Sequence, residues 1–192
     1  RDYEWTNPEP SNFVDEHVYA KLEQLHITPS VVCTDAEFVR RVYLDLCGVL
    51  PTPEEMTRFV GSDIPNKRAE LIDALMQREE FSDLWTKKWM DVFRVSRDSI
   101  QLQGAQTFQA WLREQVSADR PFSEVVTEML TATGESYSIG ASNYYCAAPM
   151  ERKVTDADYL QKDLAESTAQ LFMGIRLQCA QCHNHLYERW TQ

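Results

Sequence analysis

The sequence predicts an all-α fold, a multi-helix bundle or orthogonal helical array. Three observations carry that prediction. Apolar residues recur three and four positions apart along most of the chain. Compact helix-start signals, Thr52-Pro53-Glu54-Glu55 above all, stand ahead of several of these stretches. No segment alternates in the way a half-buried strand requires. Hydrophobic residues make up 43% of the 192, which excludes a disordered chain and allows a real core.

Residues 1–11, with Pro8 and Pro10, read as an extended arm, and 12–192 as a single helical domain. Ser11 offers a cap for a helix over 12–26, whose apolar side is Phe13, Val14, Val18, Leu22 and Leu25. Thr34 caps the next helix, with Phe38, Val39, Val42, Leu46 and Val49 inward and Gly48 as its stop. In the Thr52 signal, Pro53 suits the first helical position and Glu55 completes a capping box. Met56, Phe59 and Val60 face inward there, and Gly61 ends the helix. A helix over 66–78 turns Leu71, Ile72, Leu75 and Met76 to the core. Ser82 is the expected cap of a longer one through Leu84, Trp85, Trp89, Val92 and Phe93.

Another helix is predicted over 105–117, with Phe108, Trp111, Leu112 and Val116 inward, and Pro121 separates it from 123–132. From Gly134 to Met150 the periodicity fails, which predicts a loop with exposed Tyr137, Tyr144 and Tyr145. Thr155 then caps a long helix to about Leu177, with Asp156 and Asp158 in its first turn and Leu160, Leu164, Ala165, Thr168, Leu171, Phe172 and Ile175 along one side.

Charge and composition narrow the function. A net charge of −11 argues against a nucleic-acid surface, which needs a basic patch. No apolar stretch approaches the roughly 18 residues of a membrane span. The Arg40-Arg41 and Lys87-Lys88 doublets read as solvated faces. No phosphate-binding glycine loop or nucleophile elbow occurs, and no two carboxylates are placed as a catalytic pair, so this segment by itself is not read as an enzyme.

The chemically distinctive run is Cys179-Ala180-Gln181-Cys182-His183. Its spacing is that of covalent c-type haem attachment. Two thiols three positions apart reach the two vinyl groups on one porphyrin edge, and the following imidazole ligates the iron. The same residues admit other readings. Cys179, Cys182 and His185 could hold zinc, with a further ligand from His17, His26, Cys33, Cys47 or Cys146. The cysteines could also form a redox-active pair, a passive disulfide or merely buried thiols. No sixth iron ligand is obvious: Met150 and Met173 are candidates, with Met173 expected in the core, His17 and His26 read rather as ordinary side chains of an amphipathic helix, and a five-coordinate haem is the alternative.

Several segments together resemble the planctomycete cytochrome c-like domain, an uncharacterised bacterial family found in large exported proteins. They are Arg40-Arg41-Val42-Tyr43-Leu44-Asp45-Leu46-Cys47-Gly48 leading into Leu50-Pro51-Thr52-Pro53-Glu54-Glu55, Trp85-Thr86-Lys87-Lys88-Trp89-Met90-Asp91, Asp163-Leu164-Ala165-Glu166, and Leu177 to His185 with Arg189-Trp190-Thr191-Gln192. The likeness spans roughly 12–192. It differs at Leu186, where many relatives have proline, and at Tyr187, where many have phenylalanine. The resemblance implies a haem held through Cys179, Cys182 and His183, a periplasmic or otherwise exported location, and a chain that continues past Gln192 in a larger protein. It also marks His185 and Trp190 as recurring family positions. The expectation is a haem c domain for electron transfer or redox sensing, facing a redox partner protein or other domains of the same polypeptide. The alternative is a non-haem binding or assembly module with a zinc or purely structural Cys/His cluster.

Overall fold

In the computed structural model, which describes residues 3–95, 97–147, 157–184, 186–187 and 189–191, every regular element among the described residues is helical. Local signals start and stop the early helices. The Thr34 hydroxyl accepts from the Glu37 N–H at 3.3 Å, and the Glu37 carboxylate accepts from the Thr34 N–H at 2.8 Å. This capping box opens α1 (Asp35–Cys47), and Gly48, at φ +70°, closes it in the left-handed region. The same reciprocal pair, Thr52 and Glu55, opens α2 (Pro53–Val60) with Pro53 at its first position. The third helix of this group is α3 (Lys67–Met76).

These three helices enclose a first core of Val39, Val42, Tyr43, Cys47, Phe59 and Leu75. Tyr43 and Cys47 complete the inner face of α1, whereas Val49, beyond the Gly48 turn, stays partly in solvent. Val60 and Met76, also expected inside, are exposed. The Cys47 thiol donates to the Leu75 carbonyl at 3.6 Å, and burial raises its pKa, so it behaves as a core side chain.

The helix α4 (Glu79–Val92) links two cores: Phe81 packs on the first, and Trp89, Met90 and the following Phe93 belong to the second. Ser82 does not cap it. Arg78 occupies that position, and Ser82 lies one turn inside, buried. The Arg78 guanidinium instead bridges Glu55 at 2.9 Å and Glu80 at 2.7 Å. The Arg78 hydrogen bond holds the Glu80 pKa down to about 2 from the ordinary 4.5. At Asp35, hydrogen bonds from Lys67 and Arg68 also lower the pKa. A depressed folded-state pKa stabilises the fold above the unfolded value, and the benefit is lost as pH falls through the folded one. The melting temperature is therefore expected to drop as pH is lowered from 4.5 toward about 2, and Arg78→Met should flatten that part of the profile. A thermal melt series against pH checks both.

The second core is aromatic. It contains Phe93, Phe108, Leu112, Met129 and Tyr144, with the Tyr144 ring edge-on to Phe93 at 6.1 Å. Its helices are α5 (Arg97–Ser117), α6 (Phe122–Thr131), α7 (Tyr144–Ala147) and α8 (Ala157–Met173). α5 begins earlier than the predicted 105 and kinks at Ile100–Gln101, where Gln101 has φ +56°. Pro121 is the N-cap residue of α6.

The stretch after Gly134 is only partly the predicted loop. Tyr137 and Tyr145 are exposed, but Tyr144 is fully buried. A 3-10 turn over Gly140–Asn143 runs into α7 and settles against α5. Small residues allow the approach: a Cβ on Gly140 would sit 2.2 Å from that of Trp111. Buried Asn143 satisfies the turn from within, donating to the Ser136 carbonyl at 2.7 Å and the Gly140 carbonyl at 3.2 Å.

The N-terminal helix, Phe13–Gln24, is capped by Asn12 rather than Ser11, with Asn12 Oδ1 accepting from the Val14 and Asp15 N–H groups. Its periodicity is that of a buried face, yet it buries no residue, and Phe13, Val14, Val18 and Leu25 are all exposed. Tyr3 folds back on it, donating to the Glu23 carbonyl at 3.4 Å and lying 4.5 Å from the His26 ring.

α8 ends sooner than predicted. Gly174 turns left-handed at φ +67°, and the Ile175 N–H bonds the Ala169 carbonyl six residues back at 3.1 Å. The expected cap Thr155, with Asp156, lies outside the described residues; Asp158 does stand in the first turn. Leu164, Leu171 and Phe172 pack on the second core, but the fully buried residues of α8 are Asp163, Glu166, Ser167 and Ala169, and Ala165 is exposed. Among the described residues no helix is long and apolar enough to cross a membrane. The two basic doublets are exposed as expected.

Candidate functional site

Gly174 swings the chain off α8, and after Leu177 it enters a 3-10 turn, Gln178–Gln181. Hydrogen bonds from Ala180 N–H to the Leu177 carbonyl (2.8 Å) and from Cys182 and His183 N–H to the Cys179 carbonyl (3.4 and 3.2 Å) define it. Residues three apart eclipse in such a turn. Cys179 and Cys182 therefore share one ridge, while Leu177 and Ala180 share another. Both cysteines are unpaired and exposed.

His183 is exposed, and its Nδ1 lies 2.7 Å from the Asn184 carbonyl oxygen. A carbonyl only accepts, so Nδ1 is the donor, and in the neutral ring Nε2 then holds the lone pair. That is the tautomer a histidine ligand needs, with the second nitrogen tied to a backbone carbonyl. Near the motif in sequence, Met173, Leu186 and Tyr187 leave large apolar surfaces in solvent. Met173 is thus not the core residue expected.

The other expected ligands divide clearly. His17 and His26 are exposed on the N-terminal helix and its end, Cys47 is in the first core, Cys33 is half-buried and Cys146 exposed. His185 and Met150 lie outside the described residues. Among the described residues, no group of three or more His, Cys, Asp or Glu side chains converges to hold a metal ion.

Behind the turn is a cleft of about 520 Å³, bounded by Lys162 and Glu166 of α8, by Leu177 and Ala180, and by Arg189 and Trp190. None of Cys179, Cys182 and His183 lines it. Its Glu166 belongs to a buried polar group with Asp163 and Ser167, and Ser167 accepts from Arg94 at 3.4 Å. Burial, then the nearby Asp163, raises the Glu166 pKa, with Arg94 opposing. The apolar periodicity of α8 concealed this group. Its only signal in the sequence is Asp163, Glu166 and Ser167 recurring at helical spacing.

No curated protein and no solved structure matches this chain. One family model matches residues 13–192, nearly the whole sequence, including both cores and the cysteine turn. The chain therefore belongs to the PSCyt2 family of proteins of unknown function, DUF1549.

Proposed function

We propose that this chain carries one haem covalently through Cys179 and Cys182, with His183 as an iron ligand, and serves electron transfer or redox sensing. The observation that carries the reading is the His183 ring: its Nδ1–H is spent on the Asn184 carbonyl, leaving Nε2 for a ligand bond, directly after a turn that carries two exposed free thiols. A zinc ion needs its ligands converging on one point, whereas a haem takes two sulfurs at its edge and the imidazole at its centre.

Each thiol would add its S–H across a vinyl double bond, sulfur to one carbon and hydrogen to the other, with no change in electron count. The exposed Met173, Leu186 and Tyr187 offer apolar surface for the macrocycle to cover. Bound there, the haem supplies one-electron chemistry at a potential set by its axial ligands and surroundings. The net charge of −11 favours a basic redox partner or a basic neighbouring domain of the same polypeptide. Covalent attachment implies a periplasmic or otherwise exported protein.

The test is intact mass with an optical spectrum on protein from its native host. A Soret band and the added mass of one haem are expected. Colourless protein with both thiols open to alkylation would end the proposal, and stoichiometric zinc would replace it with the structural-metal reading.

A further inference from the structure

We infer that the cleft behind the cysteine turn is a separate binding site for a small, flat, singly charged carboxylate. The cleft volume, about 520 Å³, falls in the range of small-molecule pockets, roughly 300–1,000 Å³. An occupant would not compete with a group held by the cysteines, because no donor of the motif lines the cleft. The inference therefore stands apart from the haem proposal.

Charge identifies the ligand. Lys162 and Arg189 are both exposed and both line this cleft. Two cations on one cleft favour an anion, and the planar guanidinium matches a carboxylate in shape.

The rest of the cleft sets the body of the ligand. Trp190 supplies a ring face, with the Arg189 guanidinium 5.6 Å from its centroid, and Leu177 and Ala180 supply an apolar wall. Glu166 also lines the cleft and is only 7% exposed. A carboxyl there opposes a doubly charged phosphate more than a single carboxylate. The ligand that fits places its carboxylate between Lys162 and Arg189 and its ring against Trp190.

The probe is 4-fluorobenzoate, followed by fluorine NMR on the natively matured protein. Saturable one-site binding is expected, with Arg189→Gln and Trp190→Ala each weakening it by about tenfold or more, the size of a lost charge-assisted contact. Neutral 4-fluorobenzamide should bind far more weakly than the acid. Glu166→Gln should tighten binding of the acid. Unchanged melting curves for the Arg189 and Trp190 variants would exclude unfolding as the cause. A shift that never saturates, or saturable binding that both variants leave intact, overturns the assignment.

Discussion

On the proposed attachment, replacing both Cys179 and Cys182 with serine is expected to remove all covalently held haem while leaving the helical fold as stable as that of the haem-free parent. The first half follows from chemistry. A serine hydroxyl does not add to a vinyl group as a thiol does, so the denatured variant should carry no haem mass. Each single variant can keep at most one thioether, and its absorption spectrum should shift accordingly. The second half follows from burial. Both thiols are exposed, and neither belongs to a core. Surface substitutions of this kind usually change stability by no more than about 0.5 kcal/mol.

Cys47→Ser provides the contrast. That thiol is buried in the first core and bonds the Leu75 carbonyl. Its replacement should cost about 1–3 kcal/mol, the penalty for a poorly matched polar group in a core, and leave haem mass untouched. Intact mass under denaturing conditions and a urea melt separate the two effects. Full haem mass in the double serine variant would refute attachment at this motif.

What could be read from the sequence depended on how local the cause was. Thr34 as a cap, and Thr52 with Glu55 as a capping box, were legible because such signals are complete within four residues, although the part of Glu37 in the Thr34 cap was not read. Gly48 was legible for the same reason. The N-terminal helix shows the limit of periodicity: Phe13, Val14 and Val18 mark an apolar side, but spacing carries no information about what covers it. Tyr144 failed differently. Its burial depends on Gly140 meeting Trp111 across the structure, a contact that no pattern within 134–150 records. In α8 the apolar positions were read correctly as packing at Leu164, Leu171 and Phe172, yet the buried acids beside them were missed because hydropathy treats acids as solvent-facing. At the candidate site, residue type and spacing singled out Cys179, Cys182 and His183 as candidates. The shared ridge of the two thiols and the tautomer of His183 needed the 3-10 turn, which spacing does not specify.

Gly140→Ala is the substitution expected to damage the fold most. The added methyl carbon would lie 2.2 Å from the Trp111 Cβ and 2.9 Å from the Thr107 carbonyl oxygen. Neither neighbour is the free end of a flexible side chain: one is fixed to the backbone of α5, the other is backbone. Relief therefore requires the 3-10 turn to lift from α5, and Tyr144, next to the turn and fully buried, moves with it. Overpacking typically costs 1–3 kcal/mol, and a rigid clash belongs at the upper end, about 3 kcal/mol. In a chain of this size that corresponds to a fall in melting temperature of roughly 6–12 °C. Gly174→Ala is the informative control. A methyl group on Gly174 would meet no atom within 4 Å, but the residue's φ is +67°, so only backbone strain of about 1–2 kcal/mol applies. If close approach rather than glycine's flexibility secures the second core, Gly140→Ala must be the more destabilising of the two. A Gly140→Ala variant that melts with the parent, or above Gly174→Ala, would show that the turn does not pack against Trp111 in the way described.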